Sequence, residues 1–254
     1  MVPRPLGRTG LFVSPIGLGT VKLGRNTDVK YPASFELPSD KEIAKLLATA
    51  LDLGVNLIDT APAYGASEKR LGAFVAAHRE KIVLATKCGE SYANGRSTYN
   101  FSAQAIIASL ENSLKNLRTD RVDLLVLHSN GEDEKILTET DALAALIKLK
   151  QSGKIRAAGI SAKTERGVAL ASRSLDVVMA SFSQSDQALA DALSKAHAAG
   201  LGVLAIKGLA SGHLAATDAI EFVLKQNFID ALIVGTIDPV HLKQAVGAAE
   251  EVSR

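Results

Sequence analysis

Four side chains able to move a proton stand at or just past the ends of short apolar runs: Asp59, Tyr64, Lys87 and His128. Asp59 ends the run Val55–Asp59, Lys87 ends Lys81–Lys87, and His128 ends Val122–His128. Tyr64 follows Asp59 by five residues, inside the Pro- and Gly-marked loop TAPAYG. A phenol has a free pKa near about 10, too high for acid–base work at neutral pH. A nearby lysine cation favours the phenolate, and an aspartate keeps that lysine charged in a dry pocket. A histidine orients a carbonyl oxygen or helps move its proton. Together they form a proton-donating set aimed at a carbonyl. Singly, each has a blander reading, because carboxylates and lysines normally sit at wet element ends. Three successive runs ending on such groups favour chemistry over coincidence.

The elements that must position these groups repeat along the chain. Strand-like runs are Ile16–Thr20, Val55–Asp59, Lys81–Lys87, Val122–His128, Ile155–Ser161, Leu175–Ser181, Leu201–Lys207 and Ala231–Thr236. Most are almost wholly apolar, as expected of parallel strands covered on both faces. Between them lie amphipathic runs: Asp40–Leu53, Ser67–Ala77, Ser102–Leu117, Thr138–Gln151, Thr164–Ser172, Asp186–Ala199, Thr217–Gln226 and Pro239–Ala248. Ser39 is placed to cap the first of these, and Gly54, Gly153 and Gly200 follow helix ends. Eight strands alternating with eight helices predict an α/β (β/α)8 TIM barrel, 1–254 as a single domain; a doubly wound sheet is the alternative. All strand C-termini of such a barrel open on one face, so the four groups should converge there. Side-chain alternation puts Asp59, Lys87 and His128 each in line with an apolar series, without saying which series faces inward. Residues 3–15 are expected to form a small hairpin closing the barrel bottom, and residues 22–39 a long polar loop after the first strand.

Composition bounds the function. Apolar residues make up 47% of the 254, tryptophan is absent and aromatics are only 4%, so Ala, Leu, Val and Ile must fill the core. The net charge of +2 is scattered, without a basic run, which argues against nucleic-acid binding. No apolar run approaches the about 18 residues a membrane span needs, and the N-terminal MVPRPLGRTG lacks a signal-type apolar core. One cysteine, Cys88, cannot form an internal disulfide, and its bland reading is a small buried residue. A cytoplasmic location and a monomer are the default expectations. The glycines Gly17, Gly19 and Gly24 do not make a dinucleotide fingerprint, because the third lies five residues on and a loop follows.

With these residues in place, the sequence resembles the aldo-keto reductase family. The resemblance covers most of the chain: LGRTGLFVSPIGLGT, GVNLIDTAPAYGASEKRLG, LATK, VDLLVLH, GIS and IVGTIDPVHL. It implies a nicotinamide cofactor bound without a Rossmann domain, a small-molecule carbonyl substrate, direct hydride transfer and no metal. By position it makes Tyr64 the general acid, Lys87 the group that lowers its pKa, Asp59 the partner of Lys87, and His128 the group that orients the carbonyl. The cofactor contacts it implies are Thr20, Val21, Ser161, Phe182, Lys207, Gly208, Leu209, Gly235, Thr236 and His241.

That cofactor set departs from the family pattern. Ala162 stands where Asn is common, Met179 where Gln is usual, and Phe182 where a Tyr ring stacks on the nicotinamide. Phenylalanine still offers a ring face, while methionine cannot replace the amide hydrogen bonds of glutamine. Where relatives clamp the 2′-phosphate with Lys-Ser and a later Arg, this chain has Gly235, Thr236 and His241. Histidine is only partly charged near neutrality, though amides opening the last helix can hold a phosphate. NADPH is therefore expected, with NADH also accepted. The short acidic loop SNGEDEKILTET after His128 implies an open rim that takes varied aldehydes. Two other readings stay open: a Schiff-base barrel aldolase using Lys87, and a non-catalytic sensor of nicotinamide nucleotides.

Overall fold

The structure is a computed structural model, and it describes residues 1–29, 31, 34–212 and 214–252. The chain opens with β1 (Arg4–Pro5), β2 (Phe12–Val13), β3 (Ile16–Gly19), α1 (Val21–Gly24), α2 (Asp40–Asp52) and β4 (Leu57–Asp59). A 3-10 turn at Pro62–Tyr64 leads to α3 (Ser67–His78), β5 (Val83–Cys88), β6 (Glu90–Ala93), β7 (Arg96–Tyr99), α4 (Ala103–Leu117) and β8 (Val122–Leu127). Then come α5 (Asp133–Thr138), α6 (Ala142–Gln151), β9 (Ile155–Ser161), α7 (Glu165–Ser174), β10 (Val177–Ser181), α8 (Ala190–Ala198), β11 (Gly202–Ile206), α9 (Ala216–Leu224), β12 (Ala231–Gly235) and α10 (Pro239–Val252). Eight parallel strands close in the order β3-β4-β5-β8-β9-β10-β11-β12. This is the expected (β/α)8 barrel, with every expected strand present and its ends moved by up to two residues.

Two apolar layers hold it. Leu57, Val83, Ala85, Leu124, Val126 and Ile233 fill the barrel interior. Ile58, Leu84, Leu125, Ile160, Val178 and Val203 point outward and pack under the helices. The alternation is thereby resolved: the series that carry Asp59, Lys87 and His128 face inward. Gly17 also faces inward, and a Cβ there would lie 2.7 Å from Ile233 Cδ1 and 2.9 Å from Leu57 Cδ2. Close packing inside the barrel, not nucleotide binding, accounts for that glycine. The antiparallel pair β1–β2 plugs the bottom, where Leu6, Leu11 and Val13 join the interior cluster.

Helix starts follow local chemistry. Ser39 Oγ accepts from Glu42 N at 3.3 Å while Glu42 Oε2 accepts from Ser39 N at 2.7 Å, a complete capping box for α2. The helix expected over Thr138–Gln151 begins later, as α6, and α5 precedes it as a helix that was not expected. Thr140 Oγ1 donates to Ile136 O and accepts from Ala142 N, closing one helix and opening the next. The helix expected from Asp186 begins at Ala190, because Ser183 and Asp186 are held in a turn by paired backbone hydrogen bonds. The hairpin β6–β7 was not expected. Its signal is present in SYANGRSTY: Asn94 and Gly95 both take positive φ, as a two-residue hairpin turn requires.

Candidate active site

The barrel mouth collects the four proton-handling groups from neighbouring strands. β4 ends on Asp59, β5 carries Lys87, and His128 follows β8 directly. Asp59 and Lys87 are 3% and 2% exposed, and Lys87 Nζ lies 2.6 Å from Asp59 Oδ1 and 3.0 Å from Thr60 O. Burial, the largest single effect, would lower the Lys87 pKa, but Asp59 and Tyr64 together outweigh it and hold the ammonium above its ordinary range. The pair is costly to bury, and each ion depends on the other.

Tyr64 arrives on the 3-10 turn that Pro62 opens. Ala66 N donates to Gly24 O, and Arg25 Nη1 donates to Ala63 O, so α1 braces this turn. Gly24 is needed there, since a Cβ would sit 2.1 Å from Ser67 N and 2.4 Å from Tyr64 O. Lys87 Nζ stands 4.7 Å from the Tyr64 ring centroid. Lys87 does pull the phenol pKa down as expected, but burial is the larger effect and the net direction is up. The phenol is thus held protonated, as a proton donor must be.

His128 meets the Tyr64 ring edge-on, with centroids 6.1 Å apart and planes at 84°. Its backbone N–H donates to Cys88 O at 2.8 Å. Burial lowers the imidazole pKa, the Lys87 charge adds to that, and Glu90 opposes both. Glu90 Oε2 lies 2.6 Å from His128 Nδ1. Glu90 belongs to β6, is 9% exposed, and accepts from Ser97 Oγ and Tyr99 Oη. Burial would raise its pKa, yet these three contacts bring it down to about 2. Reading the sequence missed Glu90, because the hairpin that returns it over the mouth went unrecognised.

The expected cofactor residues divide. Ser161 ends β9 on the inward series with Ala157, and Gly235 ends β12 on the inward series with Ile233. Both reach the mouth. Phe182 does not, which corrects the expected ring-stacking role. It is 1% exposed and turned outward, stacked on Phe222 at 5.8 Å and edge-on to Phe228 at 5.5 Å. One residue of register separates it from the inward Val177, Met179 and Ser181 series. On the neighbouring strand the mouth-facing residue is Ile206, which packs on the interior cluster. Gln184 is exposed. Gly208 and Leu209 face the helix layer: a Gly208 Cβ would lie 2.8 Å from Leu232 Cδ1, and Leu209 packs on the outer cluster. Lys207 is exposed on the rim with φ 57.

Near the first and last strands the polar groups are already engaged. Thr20 Oγ1 donates to Asp59 O and accepts from Ser67 Oγ, both at 2.9 Å, and Val21 opens α1. Thr236 Oγ1 accepts from Asp238 N at 3.0 Å, and Asp238 Oδ1 accepts from Val240 N at 2.8 Å. A carboxylate therefore occupies the start of α10, where a phosphate was expected. The His241 ring lies 3.8 Å from that carboxylate.

The rim is more built than the expected open one. Arg25 stacks over the Tyr92 ring at 3.4 Å, and Tyr92 Oη donates to Asp28 Oδ2 at 2.7 Å, latching β6 to the loop after α1. Tyr31 comes from the same loop. Its hydroxyl lies 3.0 Å from where a Gly235 Cβ would be, and Lys22 Nζ stands 3.9 Å over its ring. Burial, and secondarily Tyr64, push the Tyr31 pKa up to about 12. Lys30, Pro32 and Ala33 of this loop lie outside the described residues. The acidic loop after His128 is tied to the next strand end. Asp133 Oδ2 accepts from Lys163 N and Thr164 N, both at 2.8 Å, and so braces the segment after Ser161. Cys88 is fully buried among outer-layer side chains, and burial pushes its thiol up to about 12.

The sequence profile of the Aldo/keto reductase family matches residues 15–221. The chain belongs to this family. L-galactose dehydrogenase of Arabidopsis thaliana is 34% identical over 225 residues, covering 83% of this chain and 66% of the plant enzyme. NADH-specific methylglyoxal reductase of Escherichia coli is 31% identical over 205 residues, covering 74% of this chain and 61% of the bacterial enzyme. Across these and further curated relatives, this aldo-keto reductase spans between 38% and 66% of their length. A solved structure from Pseudomonas aeruginosa, assigned to the aldo-keto reductases, superposes with a TM-score of 0.92 at 43% identity, covering 99% of this chain and 95% of that one. No helix among the described residues is long and apolar enough to cross a membrane.

Proposed function

We propose that this aldo-keto reductase is an NAD(P)H-dependent oxidoreductase that interconverts a small aldehyde or ketone and its alcohol, with Tyr64 as the proton donor. The observation that carries the reading is the buried Asp59–Lys87 pair beside the half-buried Tyr64 ring. A bound nicotinamide supplies the hydride. Tyr64 holds a proton at neutral pH and delivers it to the carbonyl oxygen. Lys87, kept charged by Asp59, stabilises the phenolate left behind. His128 orients the oxygen from the other side.

The mouth offers fitting surface for the nicotinamide. Ser161 presents a hydroxyl with no partner among the described residues. Gly19 and Gly235 sit paired on adjacent strands, with the Tyr31 hydroxyl over Gly235. Ile206 supplies an apolar face in place of a ring. At the far end, the Asp238 carboxylate opposes a 2′-phosphate and suits a ribose 2′-hydroxyl, which it can accept from. NADH should therefore bind at least as well as NADPH, a shift from the NADPH expected on sequence. The NADH-specific relative is consistent with this.

The substrate fits a small polar carbonyl compound, given a rim of Lys22, Tyr31, Glu90 and Arg25 and relatives that oxidise L-galactose and D-threo-aldoses. The aldolase reading loses ground because a Schiff-base lysine must shed its proton, and Asp59 opposes that. The test is oxidation of NADH and NADPH by a reactive aromatic aldehyde, in wild type and Tyr64→Phe. The variant should lose at least about 100-fold in kcat with nucleotide affinity kept. Turnover unaffected by Tyr64→Phe removes Tyr64 as the acid, and nucleotide binding without turnover in wild type favours a sensor.

A further inference from the structure

Glu90 is a buried carboxylate at the mouth that the four-residue mechanism does not use. It comes from a hairpin, not from a barrel strand, and its other contacts aim it at one place. Ser97 and Tyr99, both on β7, donate to its Oε1, leaving Oε2 against His128 Nδ1 at 2.6 Å. The approach has ion-pair distance without hydrogen-bond alignment, so charge carries it.

We propose that Glu90 is a positioning residue for carbonyl reduction, acting through His128: it takes the Nδ1 side of the ring and enlarges the share of the ring that carries a proton on both nitrogens, so that Nε2 carries the hydrogen a carbonyl oxygen accepts. The proposal rests on the oxidoreductase reading of the site. Its logic is the count of ring protons. A neutral imidazole has one N–H. With a carboxylate against Nδ1, that hydrogen stays on Nδ1, and Nε2 is a bare acceptor that repels a carbonyl lone pair. Only the imidazolium has a hydrogen on both nitrogens. The orienting donor therefore exists only while His128 is protonated.

The surroundings make that charge hard to keep without Glu90. The ring is largely buried, which disfavours the cation, and Lys87 on β5 places a second cation nearby, so that even beside Glu90 the imidazole pKa lies below its ordinary value. Asp59 on β4, paired with Lys87, gives the ring a smaller favourable charge than Glu90 does. Tyr64 offers a neutral ring edge. On β7, Ser97 and Tyr99 are neutral donors to Glu90, and Arg25 reaches Tyr99 electrostatically from the loop after α1. Glu90 is the anion that directly faces the imidazole.

The sign follows. A donor present only in the cation gives reduction that holds below the His128 pKa and is lost as pH rises through it. Removing the Glu90 charge lowers that pKa, so the loss moves to lower pH. Opposite charges at this range shift a pKa by about 1–3 units.

The experiment compares wild type, Glu90→Gln and Glu90→Asp by two readouts. The first is the titration of the His128 ring by NMR in the nucleotide-free protein, with the resonance assigned from His128→Gln among five histidines. The second is the pH dependence of kcat for aldehyde reduction. Glu90→Gln should lower the ring midpoint and the basic limb of kcat together by about 1 unit or more. Glu90→Asp should restore part of both. Nucleotide affinity should not move. An unchanged ring midpoint in Glu90→Gln overturns the proposal. So does a shifted midpoint with an unshifted kcat limb. A wild type that binds nucleotide but reduces nothing removes the oxidoreductase reading instead, and with it this role for Glu90.

Discussion

Replacing Asp59 with asparagine keeps the shape of the side chain and removes the charge that lets Lys87 stay protonated. The two atoms are 2.6 Å apart and both residues are almost wholly buried. At an effective dielectric near 20, Coulomb's law gives about 6 kcal/mol of attraction, against a desolvation cost of several kcal/mol per ion. The pair as a whole is near break-even, but either ion alone is not. Asp59→Asn should therefore destabilise the protein by about 3–5 kcal/mol, and Lys87→Met by a similar amount. In a chain of this size that is a Tm drop of at least about 6 °C. The double variant should fall well short of the sum, because it leaves no unpaired charge. The pH dependence has a definite sign. The folded Lys87 pKa lies above its usual value, so its contribution is complete below the unfolded lysine pKa near about 10.4 and is lost as pH rises through the folded value. The gap between wild type and Asp59→Asn should thus be constant at neutral pH and narrow in strong alkali. Far-UV circular dichroism is the suitable probe, as the chain has no tryptophan. Strictly additive single and double variants would refute the pairing argument.

Two further outcomes are expected. Asp238→Asn should raise NADPH affinity relative to NADH by about fivefold, since a like charge next to the 2′-phosphate is removed; equal changes for both nucleotides, measured by calorimetry, would place the ribose elsewhere. Tyr92→Phe deletes the hydrogen bond to Asp28 but keeps the ring under Arg25. It should cost about 1 kcal/mol or less in stability and act mainly on KM, which steady-state kinetics would separate from kcat.

The parts of the fold and site that were legible are those with short-range causes. Short apolar runs alternating with amphipathic ones gave the strands, and Ser39 as a cap gave a helix start. Asp59, Lys87 and His128 were legible because strand ends of a parallel barrel converge whatever the loops do. Phe182 shows where that logic fails. Its mouth-facing role required knowing which face of β10 looks inward, and a period of two makes a one-residue error complete. Asp238 was passed over for a related reason: an Asp-Pro before a helix reads as a cap, and only the Val240 amide it accepts from shows that the helix start is already taken. Glu90 lay in a stretch too short and polar to read as structure, although Asn94-Gly95 marked its turn.

The division of labour around the rim follows from strand order. Asp59, Lys87 and His128 come from β4, β5 and β8, which are consecutive in the barrel, and Tyr64 from the loop after β4. The residues best placed to meet a nicotinamide, Ser161, Ile206, Gly235 and Gly19, come from β9, β11, β12 and β3, which close the other side. On the proposed function, proton handling sits on one half of the wall and cofactor contact on the other. The half that handles protons contains a buried ion pair whose geometry tolerates little change, because losing either partner strands a charge. The other half relies on small and apolar residues, whose replacement costs packing but no unpaired charge. Substitutions should therefore be absorbed more easily on the cofactor side, and that is the side on which Ala162, Met179 and His241 depart from the family pattern while the tetrad does not.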